Sequence, residues 1–281
     1  MNTRIALPVS LLAASLVLAA CSSGTGGAAA EPPTGATGAA VADASLADVQ
    51  EAGELVVGTE GTYRPFSYHV DGSGDLTGYD VEVARAVAEE LGVEIRFEET
   101  QWDAIFAGLE AGRFDVIANQ VSITPDREAS YTFSEPYTYS TGVIVVAEGT
   151  TDIASFEDLE GKTAAQSLTS NWHTLAKDSG ANIEAIEGWA QAAALVEQGR
   201  VDATINDKLT FLDYQKQTGD TGLLIAAETD DFSRSAFAFA SGSDSLARAV
   251  DDALAALAEN GTLAEISAEF FGDNVSVAPG Q

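Results

Sequence analysis

The chain has 281 residues, 46% of them hydrophobic and 20% charged, enough apolar material for one large domain or two lobes of ordinary size. Its 44 acidic residues against 13 basic ones give a formal net charge of −31, scattered rather than gathered in a tail, which argues against nucleic acid as a partner. In so acidic a chain each basic residue stands out.

In chain order, Arg4 precedes the apolar run "IALPVSLLAASLVLAA", too short to cross a bilayer comfortably and ending in small residues, so residues 1–20 are expected to be a secretory signal. The run closes on "LAAC". Cys21 is the single cysteine and cannot form an internal disulfide. This ending resembles the lipobox of bacterial lipoproteins, which implies cleavage before Cys21, its lipidation, and an extracytoplasmic chain anchored to the membrane. The small residues, Gly and Pro of "SSGTGGAAAEPPTGATGAA" have nothing large to bury, so residues 21–45 are expected to be the lipidated cysteine and a flexible tether.

From residue 54, short β-rich runs alternate with helical ones. "ELVVGT" reads as a strand, and "YDVEVARAVAEELGV" places Val81, Ala84, Val87, Ala88 and Leu91 at helical spacing before Gly92. "EIRFEET" is a strand, "WDAIFAGLEAG" a short helix and "FDVIAN" a third strand, the grammar of a parallel α/β unit. The second half repeats it with "GKTAAQ", "NWHTLAKDSG", "NIEAIEG", "WAQAAALVEQG" and "VDATIND". Two further β-rich segments, at 141–149 and 235–242, flank this second unit as candidate crossing strands, and two helices follow. The expected body is therefore α/β with two lobes: 46–142 and 236–273 form the first, 143–235 the second as an insertion, and 274–281 a tail.

One motif is written twice. "GRFDVIANQ" at 112–120 returns as "GRVDATIND" at 199–207, each with a tryptophan ten residues before its glycine, Trp102 and Trp189. Each glycine suits the end of a helix, and each following strand has an apolar centre suited to burial under helices on both faces. The Arg and Asp of the motif read as a helix-to-strand joint. The polar pairs, Asn119 with Gln120 and Asn206 with Asp207, lie where ligands bind in open α/β sheets, beyond the strand ends. Burying such groups is costly unless they find partners.

The segments "GTEGTYRPFSYHVDGSGDLTGYDVEVARAVAEELG", "WDAIFAGLEAGRFDVIANQVSITPDREASYTFSEPYTYS" and "AENGTLAEISAEFFG" resemble the solute-binding proteins of polar amino-acid ABC transporters, over roughly residues 50–272. The resemblance implies the two-lobed periplasmic-binding-protein fold of type II, joined by two crossing strands. "EGTYRPFSY", "NQVSITPDR" and "SEPYT" look most like the cystine-binding branch, with the amide pair Asn119–Gln120 where many relatives have a Ser-x-Ser-like run.

A free amino acid needs a fixed cation and a fixed anion a few ångströms apart. Arg127 offers a planar fork for the carboxylate, and Asp207 a carboxylate for the ammonium, from opposite lobes. Only a closed cleft would engage both. Ser122 is expected to bond the ligand carboxylate, as is the loop Thr169–Ser170–Asn171, in which Thr169 stands where relatives have glycine. Tyr63 and Trp102 fall where relatives place aromatic walls, although Trp102, at a helix start, reads as core on its own. Glu60 falls where relatives have an acid near the ligand side chain, here suited to the distal ammonium of cystine.

The implied protein hands a polar amino acid, L-cystine first and glutamine, arginine or histidine as alternatives, to an ABC permease with a separate ATPase, and is a monomer without cofactor or metal. A ligand sensor is a further alternative. So is a dehydratase of the cyclohexadienyl type on the same fold, for which His69 and His173, each without a spaced partner, offer no acid–base pair.

Overall fold

The structure, a computed structural model, describes residues 43–219 and 222–280. The expected signal, Cys21 and the tether up to residue 42 lie outside the described residues. Two sheets form in turn. The first lobe opens with α1 (Ser45–Ala52) and β1 (Glu54–Thr59), then a three-stranded meander of β2 (Thr62–Tyr63), β3 (Ser67–His69) and β4 (Leu76–Thr77). It continues through α2 (Tyr79–Leu91), β5 (Glu94–Glu99), α3 (Trp102–Glu110), β6 (Val116–Ser122), the single turn α4 (Pro125–Glu128), β7 (Tyr131–Phe133) and β8 (Thr138–Ser140). The second lobe runs β9 (Gly142–Ala147), β10 (Thr163–Gln166), α5 (Asn171–Asp178), β11 (Asn182–Ala185), α6 (Gly188–Glu197), β12 (Ala203–Asp207), α7 (Lys208–Thr218) and β13 (Leu223–Glu228). The chain returns through β14 (Ser233–Ala240), α8 (Asp244–Glu259) and α9 (Thr262–Phe271).

The first sheet has the order β5-β1-β6-β14-β7 with β8 also on β14, and the second β11-β10-β12-β9-β13. In each, three parallel strands in the order second, first, third meet an antiparallel strand from the crossing: β14 beside β6, β9 beside β12. The crossing runs are β8–β9 and β13–β14, and the passages between sheets fall at Thr141 and at residues 229–232. Residues 233–235, expected in the second lobe, pair with β8 in the first-lobe sheet.

The repeated motif has a structural answer. Gly112 and Gly199 close their helices at φ 66° and 63°, a conformation that costs a glycine little. The aspartates then tie strand to strand: Asp115 Oδ2 accepts the N–H of Val56 at 2.9 Å, and Asp202 Oδ2 that of Thr163 at 2.7 Å. Their own N–H groups donate back to the same two residues, both at 2.9 Å. Each lobe thus fixes its third strand against its first with one aspartate, and the binding edges at the far ends inherit that register.

Packing on the first sheet is two-sided. Val57, Val116 and Phe237 face α2 and α8, while Ile105, Ile117 and Phe114 pack on the α3 side. The Phe114 ring fills the space between Gly58 and Gly108, where a Cβ on Gly108 would stand 2.7 Å from its Cζ. Alanine at a helix interior ordinarily gains about 1 kcal/mol over glycine, whereas overpacking a core costs about 1–3 kcal/mol. The clash wins because Phe114 is buried. Gly108→Ala is therefore expected to lower the melting temperature by roughly 2–6 °C, and adding Phe114→Leu to recover part of it; calorimetry showing Gly108→Ala at or above wild type would contradict this.

Candidate ligand-binding site

The site is built from the strand ends. β6 does not stop at the amide pair, as the pattern predicts, but runs on to Ser122. Its register against β14 shifts between Ala236 and Ala238, and Gln120 sits at φ 50°. This bulge frees both amides from the ladder. A non-glycine residue at positive φ is strained, and Asp80 holds it there: its carboxylate accepts Gln120 N and Nε2, both at 2.7 Å. Asp80 is fully buried, and burial raises its pKa to about 7 against those bonds.

Asn119 grips Glu60 at both ends. Its Nδ2 donates to Glu60 Oε2 at 2.6 Å, and its Oδ1 accepts Glu60 N at 2.8 Å. Burial of the Glu60 carboxyl, with help from the nearby charges of Glu187 and Asp103, lifts its pKa to about 7 despite the Asn119 bond. On the second lobe, Asn206 Oδ1 accepts the Tyr63 hydroxyl at 2.9 Å, and that hydroxyl accepts from Thr210 at 3.0 Å. Asp207, directly after it, caps α7: Oδ1 accepts Leu209 N at 2.8 Å and Ser140 Oγ at 2.7 Å. Burial raises it to about 6.

At the mouth the lobes touch. Thr169 donates N–H and hydroxyl to Asp103 Oδ1 at 3.0 and 2.7 Å, and Ser122 Oγ donates to Asn171 Oδ1 at 3.3 Å. Arg127 reaches the carbonyls of Ser122, at 2.9 Å, and Thr169, at 3.1 Å, with its guanidinium 5.4 Å from the Trp102 ring centre and 5.2 Å from that of Phe106. Burial lowers its pKa to about 10, so it stays charged at neutral pH. Among the described residues no carboxylate lies within ion-pair distance of it.

Between the lobes lies a cavity of about 60 Å³. Glu60, Tyr63, Trp102, Asn119, Gln120, Ser170 and Asn171, all expected at the site, line it. Ser122, Arg127 and Thr169 instead line adjoining grooves at the mouth. Asp207 is behind Asn206 with its carboxylate on the cap, and no ion pair joins it to Arg127. The cavity also takes Gln166, Trp172 and Trp189, which the motifs were not read to place there. The signals were present: Trp189 is the second-lobe counterpart of Trp102 in the repeated motif, and Gln166 ends a buried strand with an amide, as Asn119 was expected to. Four lining residues carry a buried polar atom without a partner: Trp102 Nε1, Gln120 Oε1, Gln166 Nε2 and Trp189 Nε1. Such atoms are rare in native interiors, and their concentration here marks a place for a polar guest.

Two α/β lobes on paired crossing strands, closing on a polar cavity, define a two-lobed solute-binding protein. The chain matches the family of bacterial extracellular solute-binding proteins, family 3, over residues 55–273, and belongs to it. It is 53% identical over 228 residues to a probable amino-acid ABC transporter-binding protein of Haemophilus influenzae, covering 81% of this chain and 88% of that one. It is 50% identical over 230 residues to the L-cystine-binding protein TcyA of Bacillus subtilis, covering 82% and 85%. Among solved structures, the L-cystine solute receptor of Neisseria gonorrhoeae in its unliganded open conformation shares 46% identity at a TM-score of 0.57, over 83% of this chain and 99% of that one. An ancestral arginine-binding protein bound to arginine shares only 33% but reaches 0.74, over 78% and 99%. The better superposition on the less similar protein fits a chain whose lobes touch across the cleft.

The raised carboxyls set a pH dependence. Glu60, Asp80 and Asp207 keep their protons in the folded body to higher pH than in the unfolded chain, so between about pH 4 and 7 the folded state binds more protons and loses stability as pH rises. The melting temperature of the protein without added ligand is expected to fall from about pH 5 to about pH 8. The net charge of −31 acts in the same direction, so the comparison with Glu60→Gln isolates the site: that variant should show a smaller fall. A fall of equal size in both proteins would contradict the assignment.

Proposed function

We propose that this chain is the binding component of an amino-acid ABC transporter, with L-cystine as its ligand, and that it delivers that ligand to a permease driven by a separate ATPase. The observation that carries the reading is the interlobe cavity with its four partnerless polar atoms and the acid Glu60. A zwitterion with polar ends meets these groups, while an apolar guest would leave them unpaired. Arg127, charged and without a carboxylate of its own, stands at the mouth as the grip for the ligand's α-carboxylate. Asp207 keeps Oδ2 outside its capping bonds and is the acceptor for the α-ammonium. Cystine is favoured over arginine, glutamine or histidine by the names that the B. subtilis and N. gonorrhoeae relatives carry.

Cys21 is proposed as the lipid attachment site and residues 22–42 as the tether, which would hold a monomeric body at the outer side of the membrane. Asp43 and Ser45, expected in the tether, instead bond to Ser245 of α8, and Ser45 begins α1. Glu60 is read as a ligand acceptor rather than a general acid, so incubation with prephenate or arogenate is expected to leave both unchanged. Turnover would overturn the non-enzymatic reading.

A thermal-shift screen against the amino acids and cystine tests the class. A ligand at a hundred times its dissociation constant adds about 2.7 kcal/mol, so L-cystine is expected to raise the melting temperature by roughly 5–10 °C. No shift with any amino acid would sink the proposal. Arg127→Ala is expected to weaken binding roughly a hundredfold or more while the variant still melts cooperatively; affinity unchanged by calorimetry would remove Arg127 from the site.

A further inference from the structure

The second lobe brings its own donors to the cavity. The carbonyl of Gln166, at the end of β10, accepts the N–H of Ile186 at 3.2 Å, and Ser167 Oγ accepts that of Gly188, the first residue of α6, at 3.2 Å. These bonds tie the end of β10, which carries Gln166, to the start of α6, which carries Trp189. Both side chains are more than nine-tenths buried, both line the cavity, and neither Gln166 Nε2 nor Trp189 Nε1 has an acceptor. α6 is ten residues long and its N-cap residue, Glu187, makes no side-chain capping bond; Ser167 takes the Gly188 N–H, and the N–H groups that follow add partial positive charge at the same end.

Donors alone would make an anion site. Yet Glu60 lines the same cavity, and Glu187, directly before α6, lies near enough to act on its charge, as does Asp103. A bare carboxylate there would face these acids. A bare ammonium would pair with Glu60 but leave the two side-chain donors unmet. Only a group carrying both charges satisfies both walls.

We propose that Gln166, Trp189 and the start of α6 hold the carboxylate of a second α-amino acid head on the ligand, whose ammonium faces Glu60. The ligand class is then a two-headed amino acid, two zwitterions joined by a chain, as opposed to one with a plain cationic or amide side chain. The inference rests on the reading of the cavity as an amino-acid site and narrows it.

Calorimetry on the full chain carrying Cys21→Ser, which prevents thiol exchange, separates the two. The ligands are L-cystine, the mixed disulfide of cysteine with cysteamine, which keeps only the distal ammonium, and that with mercaptopropionate, which keeps only the distal carboxylate. Each analogue is expected to bind roughly tenfold to a hundredfold more weakly than cystine. Trp189→Phe, which removes the N–H and keeps the ring, should cost cystine a similar factor and the cysteamine disulfide far less, with Gln166→Leu as the parallel test. Equal affinity for cystine and the cysteamine disulfide in the unsubstituted cavity would overturn the second head, as would both variants weakening all three ligands by one common factor. Binding of glutamine or arginine without cystine would overturn it and leave the amino-acid reading standing; no binding of any amino acid or disulfide would take down both.

Discussion

A buried polar atom with no partner costs about 1–3 kcal/mol, and native folds avoid such atoms by pairing nearly all of them. Between the lobes this chain keeps four, together with a carboxyl that burial holds near neutrality. Elsewhere the same fold is careful with its polar groups: Asp115 and Asp202 are each spent on a strand N–H, and Asp80 satisfies a strained Gln120 at two points. The neglect is concentrated at the cleft: outside it, among the described residues, Arg64 Nε and Tyr137 Oη are the other buried side-chain polar atoms without a hydrogen-bond partner. It leaves unmet bonding capacity at a surface where a guest can complete it, so a ligand's affinity draws on the interactions the protein lacks.

Closure ties that surface to the crossing segments. Lys208 and Thr141 both donate to Glu228, and Gly142 and Thr229 exchange hydrogen bonds, so the two passages between sheets are bonded to each other. Gly142 has no side chain because the Trp172 ring occupies that space, and the same ring lines the cavity. Ser140, one residue before the passage, donates to Asp207. A ligand touching Trp172 thus acts directly on a ring packed against the crossing. Tyr63 adds a bond from the first lobe to Asn206 and Thr210 of the second. Ligand favours the closed arrangement only by contacts that differ between states, and these residues join the cavity wall to the groups that bridge the lobes.

Much of the architecture was legible because periodicity and punctuation agree. The apolar spacing of α2, its glycine stop, and the repeated Gly-Arg-x-Asp joint each correspond to a physical feature seen in the structure. The bulge in β6 was not legible: positive φ at a glutamine depends on Asp80, forty positions away in sequence. Nor was the division of labour at the site. Asn119 and Gln120 are separated by the bulge into a Glu60 clamp and an Asp80 clamp, and Arg127 is held at the mouth by one carbonyl from each lobe, those of Ser122 and Thr169. Trp189 could have been found, since the motif repeats with its tryptophan. Trp172 could not, because its place is set by the absence of a side chain at Gly142.

The chain has three tryptophans, Trp102, Trp172 and Trp189, and all three line the cavity. Titration with L-cystine under selective tryptophan excitation therefore reads the proposed site with no background from elsewhere in the chain. The account predicts a saturable, single-site change in emission that follows the calorimetric isotherm. Heat of binding with an emission spectrum that does not move would place the ligand outside the cavity and contradict it.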